Sequence, residues 1–365
     1  MIKICHITSA HPRYDIRIFL KECKSLANAG YDVTLLCTDN KPNEIKDGVS
    51  IISVDFHAKN RFHRILHAKK ILLRAALNIN ADIYHFHDPE LLSLGSALRS
   101  RGKKVIYDTH EDVPRQLLTR AWIPLFLRKI VSFLFEKFEN YHAKRFNYII
   151  AATPHIAERF ITVNTQTVAV NNYPLKSEIV RSAAWVQKKP QCCYIGGIGV
   201  IRGIYPLMDA LTIAKVPLQM CGDFDTLELK KQVSAMPGFD HVVYHGLLPR
   251  QQSHDVVNMC KIGIVTYLPE ENHIASQPNK LFEYMAAGIP VIASHFPLWR
   301  CIVEENHCGI CVDPENPREI AEAIRVILAN DDQARTMGEN GRKAVEEKYN
   351  WSAQEQIMLS VYERL

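Results

Sequence analysis

The chain has 365 residues, of which 47% are hydrophobic and 23% charged, and its formal net charge is +5. That length favours two domains, because a single hydrophobic core rarely grows past about 250 residues. No apolar run reaches the roughly 18 residues that a spanning helix needs, so we expect no segment that crosses a membrane.

The N-terminal half alternates short β-branched runs with longer periodic segments. The first run begins at Met1 without the apolar stretch and cleavage site of a signal peptide, which predicts a cytoplasmic protein. The alternation itself predicts parallel strands joined by right-handed helical crossovers. We predict strands at 2–8, 32–37, 49–54, 83–87, 104–107, 148–151 and 167–171, and helices at 18–29, 62–79, 91–100 and 125–145.

Two stretches of this half carry basic residues and no acidic ones. The first runs from His57 to Ile79, and the second, from Arg115 to Phe135, is also rich in large apolar side chains. Such stretches suit an anionic membrane surface. The alternatives are a solvated helix face for the first and a core helix for the second. The basic residues include Lys59, Arg61, Arg64, Lys69, Lys70 and Arg74 in the first stretch and Arg120, Arg128 and Lys129 in the second.

The second half repeats the alternation after a less patterned segment. We predict an N-terminal domain at 1–172, a linker at 173–190, a C-terminal domain at 191–348 and a last helix at 349–365. The fold class is α/β, with two doubly wound, Rossmann-like domains that face a ligand-binding cleft. Predicted strands lie at 191–195, 218–221, 241–244, 262–266, 291–293 and 309–312, and predicted helices at 203–213, 226–235, 250–259, 279–287, 317–330 and 332–349.

Ten cysteines are spread along the chain, and we expect them to be reduced, because the apolar content suffices for folding without disulfides. Cys308 and Cys311 have the spacing of a metal or redox pair. No second ligand pair accompanies them, so we expect only a loop that turns into a strand and predict no metal site.

A glycine-rich turn lies between the predicted strand at 191–195 and the predicted helix at 203–213. Gly196, Gly197 and Gly199 are followed by Arg202. Backbone amides of such a turn can approach a phosphate closely, and the helix N-terminus and the arginine favour its negative charge. A tight turn with a surface arginine is the alternative.

The most informative segment is the short helix predicted at 279–287. Pro278 precedes its start, and Gly288 suits a left-handed cap at its end. Lys280 in the first turn adds positive charge to the helix dipole, and Glu283 can accept hydrogen bonds from a pair of sugar hydroxyls. Two cationic helix starts in one domain predict a diphosphate site. A capped helix with ordinary surface charges is the alternative.

The segment 276–294 resembles the donor site of glycosyltransferase family 4, retaining enzymes of the GT-B fold. The glycine turn ending in Arg202-Gly203, the segments 245–247 and 308–314 and the tail Tyr349-Asn350-Trp351 are similar to that family as well. The resemblance implies an acceptor-binding N-terminal domain, a nucleotide-sugar-binding C-terminal domain and a last helix that crosses back to the first domain.

The resemblance also implies roles for individual residues of the C-terminal domain. Arg202 and Lys280 would bind the donor diphosphate, and Glu283 the ribose hydroxyls. The glycine turn and the amides around Asn279, Lys280 and Leu281 would contact the phosphates and the sugar. The main chain near Leu247 would contact the base.

In the N-terminal domain, His110 ends a predicted strand where the family often has a histidine near the transferred sugar. A histidine at a strand end is by itself more often structural, and only the resemblance makes it a catalytic candidate. Asp15 and Arg17 follow the first strand, where acceptors enter, and are our candidates for the acceptor site.

Two positions depart from the family. Ala275 stands where a glutamate commonly contacts the donor sugar, so sugar recognition must differ, through Asn272 or His273. Gly197 replaces a basic residue that often lies beside the first glycine of the phosphate turn. A branch of the family carries Ser-x-Pro-Asn-Lys before this helix, as this chain does.

We therefore expect a retaining hexosyltransferase that uses a UDP-sugar, or less favourably a GDP-sugar, with no metal or other cofactor. The basic stretches and the resemblance imply a lipid-linked saccharide acceptor at the inner face of the cytoplasmic membrane, in the biosynthesis of a bacterial surface polysaccharide such as O-antigen or capsule. The alternatives are a nucleotide-sugar epimerase of the same fold and a non-catalytic nucleotide-sugar-binding subunit. No basic, aromatic-interleaved motif indicates nucleic acid.

Overall fold

The computed structural model describes residues 1–56, 61–120, 122–175, 177 and 183–365, with the backbone alone for residues 61–66 and 272. It divides into two compact units, one of residues 1–172 with 351–365 and one of residues 173–350. Each unit is a largely parallel sheet with flanking helices, which confirms the predicted fold class of two Rossmann-like domains. Lys59 of the first basic stretch, the side chains of Arg61 and Arg64, and residues 176 and 178–182 of the predicted linker lie outside the described residues.

The sheet of the first unit has the order β3-β4-β2-β1-β5-β6-β7-β8. All neighbouring strands are parallel except β3 and β4, an edge hairpin that we did not predict. Asp47 and Gly48 both have positive φ and make its two-residue turn. The strands are β1 (Lys3–Ile7), β2 (Asp32–Cys37), β3 (Glu44–Lys46), β4 (Val49–Ser53), β5 (Ile83–Phe86), β6 (Lys104–Thr109), β7 (Tyr148–Ala151) and β8 (Thr167–Ala169).

Helices connect these strands. The first begins as the π-helical segment Ile16–Cys23 and runs on as the α-helix Lys24–Asn28, and the two together are α1. The others are α2 (Arg61–Ile79), α3 (Leu92–Arg99), α4 (Val113–Thr119), α5 (Leu125–Ala143) and α6 (Pro154–Ile161), with a short 3₁₀ turn at Pro89–Leu91. Thr153 starts α6 by accepting a hydrogen bond from the amide of Ile156, and Pro154 occupies the first helical position.

The second unit has the strand order β11-β10-β9-β12-β13-β14, and all of its strand pairs are parallel. The strands are β9 (Lys189–Ile195), β10 (Leu218–Cys221), β11 (Val242–Gly246), β12 (Cys260–Val265), β13 (Val291–Ser294) and β14 (Gly309–Val312). The helices are α7 (Ile204–Ala214), α8 (Leu227–Ser234), α9 (Arg250–Asn258), α10 (Glu271–Ile274), α11 (Asn279–Ala286), α12 (Pro297–Glu304), α13 (Pro317–Ala329) and α14 (Asp331–Glu347), with 3₁₀ turns at Trp185–Gln187, Val200–Arg202 and Pro237–His241.

The last helix, α15 (Trp351–Glu363), belongs to the first unit. The indole of Trp351 donates to the hydroxyl of Ser25 over 2.9 Å, and the side-chain oxygen of Gln354 accepts from the amide of Asn171 over 2.7 Å. These contacts tie the end of the chain to α1 and to the end of the first sheet.

Each sheet has one point at which the strand order reverses. It lies between β1 and β5 in the first unit and between β9 and β12 in the second. Loops that leave neighbouring strands in opposite directions open a crevice at the carboxyl ends of those strands, where ligands of such folds bind. The residues after Ile7 and Phe86, and those after Ile195 and Val265, therefore mark the places to search for sites.

Candidate active site

The glycine turn of the second unit leaves β9 at this reversal point. Gly196 has a φ of +94°, which only glycine adopts without strain. A Cβ atom at Gly197 would collide with the guanidinium of Arg202, and one at Gly196 would lie 3.7 Å from Cε of Lys280. The absence of a side chain at Gly197 thus lets Arg202 lie against the turn, and Lys280 lies beside Gly196, so the two cations and the turn form one group.

Lys280 is the most unusual residue of this group. It lies in the first turn of α11 and is only 6% exposed, and its ammonium has no hydrogen-bond partner among the described residues. Nζ lies 3.6 Å from the ring centroid of Tyr194 and 5.3 Å from that of Tyr267. Burial, and then the charge of Arg202, lower the pKa of Lys280 well below its ordinary value. An anion bound here would remove a large desolvation penalty.

Glu283 follows Lys280 by one turn of α11. Its carboxylate oxygen Oε1 lies 3.2 Å from Nη2 of Arg250, which is in the first turn of α9. Glu283 also lines a pocket together with Pro174, His254 and Ala287. Arg250 was not a candidate in the sequence analysis, because an arginine at the start of a helix does not indicate which residue it pairs with. Its partner, Glu283, lies 33 positions later in the chain.

The other predicted donor contacts differ in how well they fit. Leu247, in the loop after β11, is 73% exposed and leaves its main chain open to a ligand. Asn279 is exposed at the first position of α11. Leu281 fits poorly, because its side chain is fully buried and its amide already donates to the carbonyl of Pro278 over 3.0 Å. A Cβ at Gly199 would collide with the carboxylate of Asp225, so this glycine accommodates a neighbouring acid.

The region around Ala275, where the family commonly has a glutamate, is held in place by other contacts. Ala275 follows α10, and the indole of Trp299 donates to the carbonyl of Ser276 over 2.7 Å. The His273 ring packs 4.8 Å from that of Tyr267, and Nδ1 lies 3.3 Å from the Leu268 carbonyl. Burial lowers the pKa of His273. The side chain of Asn272 lies outside the described residues.

The candidate residues of the first unit meet at the ends of β1, β5 and β6. His110 follows β6, its side chain is 18% exposed, and Nε2 lies 3.1 Å from Oδ2 of Asp108. Asp15 caps α1 by accepting from the amides of Arg17 and Ile18. Burial raises the pKa of Asp15, but the hydrogen bond with His11 and the Ile18 amide outweigh it, so the pKa falls well below the ordinary range.

The position of Arg17 contradicts the predicted direct contact with an acceptor. Arg17 is only 3% exposed, and its guanidinium donates to both carboxylate oxygens of Asp108, over 3.0 and 2.9 Å, and to the carbonyl of Val170 over 2.7 Å. Nε also lies 3.0 Å from Oε1 of Glu22. Arg17 therefore fixes the acid beneath His110, and its donors are taken by the protein itself.

His11 is a site residue that we missed. Its Nδ1 lies 3.5 Å from the Asp15 carboxylate, its Nε2 lies 3.5 Å from that of Asp88, and its ring lies 5.0 Å from the His110 ring. Burial lowers the pKa of His11, but Asp15 and Asp88 outweigh it and raise the pKa above its ordinary value. The available signal was its place in the loop directly after β1, beside Asp15.

Among the residues that the structure describes, two groups of side chains lie close enough together to ligate a metal ion, with candidate ligand atoms within 4.8 Å of one another. One contains His6, Glu22, His85 and His87, and the other His87, Asp108 and His110. The ring nitrogens of His6 and His87 are already engaged in hydrogen bonds, and the Arg17 guanidinium lies beside Glu22. In the first group, Nε2 of His85 and the two carboxylate oxygens of Glu22 have no hydrogen-bond partner among the described residues.

Sequence comparison identifies both halves of the chain. Residues 175–344 match the family described as glycosyl transferases group 1, and residues 17–170 match glycosyltransferase family 4. The chain is a glycosyltransferase of the family 4 type. Family membership agrees with the two-domain fold and with the resemblance given above, and it does not distinguish the branch with Ser-x-Pro-Asn-Lys.

Among individual proteins, this transferase is 23% identical to the D-rhamnosyltransferase WbpZ of Pseudomonas aeruginosa over 337 residues, which cover 89% of this chain and 85% of that protein. It is 33% identical to spore coat protein SA of Bacillus subtilis, but only over 84 residues, which are 23% of this chain and 22% of that protein. The chain thus spans less than a quarter of one matched relative and most of the other.

Solved structures share the fold at low sequence identity. Sucrose-phosphate synthase of Thermosynechococcus elongatus superposes with a TM-score of 0.79 at 18% identity, covering 100% of this chain and 99% of that one. Anabaena HepE in complex with UDP-glucose gives 0.71 at 14% identity, covering both chains completely. WaaG, a glycosyltransferase involved in lipopolysaccharide biosynthesis, gives 0.70 at 12% identity and covers 99% of both chains.

Proposed function

We propose that this transferase moves a hexosyl unit, with retention of configuration, from a nucleotide-diphosphate sugar whose diphosphate binds between the glycine turn, Arg202 and Lys280. The observation that carries the proposal is the buried ammonium of Lys280, which has no hydrogen-bond partner among the described residues and lies beside the glycine-rich turn. Such a cation is stabilised by an anionic ligand, and a diphosphate has the charge for two cations and a helix N-terminus.

The same groups supply the chemistry. As the bond between sugar and diphosphate breaks, negative charge grows on the departing phosphate, and fixed cations lower the barrier most when they face that charge. In the proposed mechanism the acceptor hydroxyl attacks from the side of the leaving group, and the leaving phosphate takes its proton. Arg202 and Lys280 stabilise the diphosphate product, and no metal ion is required for this role.

Glu283 is proposed to bind the ribose hydroxyls, and the ion pair with Arg250 orients its carboxylate for them. We propose UDP rather than GDP as the nucleotide, supported by the UDP-glucose complex of the structurally similar HepE. His110 and Asp15 are proposed to contact the sugar and the acceptor, and His11 joins them because it lies between Asp15 and Asp88.

The acceptor is proposed to be a lipid-linked saccharide at an anionic membrane surface. The second basic stretch includes the first part of α5, one face of which is exposed rather than part of the core, with Phe126 78% exposed. Lys129 and Lys137 lie on the same helix, and Lys69, Lys70 and Arg74 are exposed on α2. Exposed apolar residues with neighbouring lysines fit an anionic bilayer. The exposed apolar residues of α5 are Leu125, Phe126, Ile130, Phe133, Leu134, Phe138 and Tyr141.

This surface differs from a membrane span, because none of the described helices combines the length and apolar character required to cross a bilayer. The similarity of the fold to WaaG supports a place in surface polysaccharide biosynthesis, such as that of O-antigen or capsule. Vesicles of anionic and of neutral lipid separate the proposal from its alternative. We expect sedimentation with anionic vesicles, weakened by salt and by Phe126→Ser with Phe133→Ser. Equal recovery of the protein from both vesicle types would reject this surface.

A second candidate function is a nucleotide-sugar-binding subunit without turnover, favoured by Ala275 in place of the glutamate. Product analysis distinguishes a transferase from an epimerase and from a non-catalytic subunit. We expect UDP release and a glycosylated acceptor when the protein meets a UDP-sugar and membrane lipid from a polysaccharide-producing bacterium. An isomerised donor would identify an epimerase, and binding without any product would identify the non-catalytic subunit.

A further inference from the structure

Buried side chains connect the last helix to His110 without interruption. The hydroxyl of Tyr362 on α15 lies 2.5 Å from Nδ1 of His85 and 3.2 Å from Nε2 of His6. Nδ1 of His6 lies 3.0 Å from Nε2 of His87, and Nδ1 of His87 lies 3.1 Å from Oδ2 of Asp108. The same carboxylate oxygen lies 3.1 Å from Nε2 of His110. Every member before His110 is buried.

The charges along this chain of contacts balance without an additional ion. Burial raises the pKa of Asp108, but the charge of Arg17 outweighs it and holds the carboxyl ionised. Burial lowers the pKa of each of the three strand histidines, which keeps their rings neutral with one hydrogen each. Burial, and then the Asp108 charge, raise the pKa of Glu22, which favours the neutral carboxyl of Glu22. The positive charge of Arg17 is then balanced by the negative charge of Asp108.

An ionised carboxylate can only accept hydrogen bonds, and this fixes the hydrogens along the contacts that lie within hydrogen-bond distance. Nε2 of His85 lies farther from Oδ2 of Asp108, at 3.7 Å. His87 must donate from Nδ1 to Asp108, so its Nε2 accepts from Nδ1 of His6. The Nε2 atom of His6 then accepts from the hydroxyl of Tyr362, and that hydroxyl accepts from Nδ1 of His85. His110 donates from Nε2 to Asp108, so Nδ1 is the ring nitrogen of His110 that does not contact this carboxylate.

We propose that Tyr362, His6 and His87 are positioning residues that hold Asp108 and His110 in this single hydrogen-bonding state, so that His110 presents Nδ1 as an acceptor for a substrate hydroxyl. The inference rests on the proposed role of His110 and assigns the last helix a part in catalysis. Hydrogen bonds to buried groups of this kind lock a ring to one tautomer and one orientation.

Histidine tautomers are measurable without a substrate. In long-range ¹H–¹⁵N correlation spectra of the ¹⁵N-histidine-labelled full chain, assigned by single histidine substitutions, we expect Nδ1–H for His6, His85 and His87 and Nε2–H for His110. Nε2–H at His6 or His87 would overturn the assignment. One bound metal ion per chain, released by His85→Leu, would overturn it as well, because a metal would then occupy the ring nitrogens.

The test variant is Tyr362→Phe, which keeps the ring and removes the hydroxyl. We expect the His85 ring to lose its single tautomer, because its Nδ1 loses the hydroxyl that accepts from it, and we expect altered signals at His6 and His110. Tyr84→Phe is the matched control, because the buried Tyr84 hydroxyl contacts only the backbone of Ala76 and Ala81. Histidine spectra of Tyr362→Phe that coincide with those of the wild type would reject the proposal.

A second pair of variants keeps the inference testable if Tyr362→Phe does not fold. His85→Asn retains a donor near the position of Nδ1 and should preserve the His6 and His110 signals, whereas His85→Leu, which removes the hydrogen bond to the Tyr362 hydroxyl, should shift them. In the transfer assay, we expect His85→Leu and Tyr362→Phe to lower kcat about tenfold, with UDP affinity unchanged. Equal losses in His85→Asn and His85→Leu would reject a positioning role. Absence of transfer by the wild type would reject the proposed function alone, because the spectra still decide the hydrogen order.

Discussion

Lys280 and Arg17 are both cations that the fold removes from water, but the two units treat them differently. Arg17 has a carboxylate and a carbonyl around its guanidinium. Lys280 has aromatic rings and a glycine turn around an ammonium without a hydrogen-bond partner among the described residues. A buried cation whose donors are satisfied stabilises the protein that contains it, whereas one left unsatisfied indicates a ligand.

The largest effect should follow from replacing Arg17, the buried cation whose guanidinium is hydrogen-bonded within the protein. Arg17→Met leaves the Asp108 carboxylate buried without its cation, and we expect a loss of about 3–5 kcal/mol in the free energy of unfolding. Denaturant unfolding monitored by circular dichroism measures it. The double variant Arg17→Met, Asp108→Asn should recover part of the loss, because the orphaned charge is then removed. A single variant as stable as the wild type would show that Arg17 is not the partner that Asp108 needs.

An effect of similar size, on catalysis rather than on stability, is expected at the proposed donor site. Arg202→Ala removes one of the two cations from the leaving phosphate, and we expect turnover to fall about 100-fold to 1,000-fold with the thermal midpoint little changed. Arg300→Ala is the control, since Arg300 is an exposed arginine of the same unit, paired with Glu304. Steady-state rates of UDP release compare them, and equal rates for both variants would remove Arg202 from the site.

The depressed pKa of Lys280 predicts a smaller, pH-dependent effect. A bound diphosphate raises this pKa, so the protein must take up a proton to bind UDP once the pH exceeds the pKa of the free form. UDP affinity should therefore weaken with rising pH, by at most about tenfold per pH unit, below the ordinary lysine value of 10.5. Lys280→Arg stays protonated and should lack this dependence. Parallel affinity profiles for the two proteins, from calorimetric titrations, would contradict the lowered pKa.

The smallest effect is expected at Arg250. Its ion pair with Glu283 is partly exposed, and such pairs contribute about 0.2–1 kcal/mol. Arg250→Ala should thus weaken UDP binding by less than about fivefold, and Glu283→Gln should weaken it more, because we propose that the carboxylate itself contacts the ribose. If titration with UDP shows the reverse order, Arg250 rather than Glu283 holds the nucleotide.

The sequence predicted well what depends on neighbours along the chain. The alternation of strands and helices gave two parallel sheets, and Pro278 and Gly288 bracket α11 within one residue of the predicted helix. The edge hairpin β3–β4 and α4 were missed, because both are short and carry little periodic signal. Asp47-Gly48 is a known hairpin turn, so β3 could have been found.

What depends on distant partners could not be predicted. Arg17 was a candidate for the acceptor site, and only the fold brings it to Asp108, 91 positions away. The hydrogen bond between His6 and Tyr362 joins residues that are 356 positions apart in the chain. In contrast, the proximity of Lys280 to the glycine turn could be expected, because β9 and β12 flank the reversal point of the second sheet and α11 follows β12.

The most direct test of the central claim is a calorimetric titration of UDP into the wild type, Lys280→Met and Lys280→Arg. Methionine has a similar shape and no charge, so it relieves the buried ammonium and should raise or preserve thermal stability while weakening UDP binding about 100-fold or more. Lys280→Arg should retain most of the affinity. If Lys280→Met binds UDP as tightly as the wild type, the ammonium is not held for a diphosphate, and the donor site lies elsewhere.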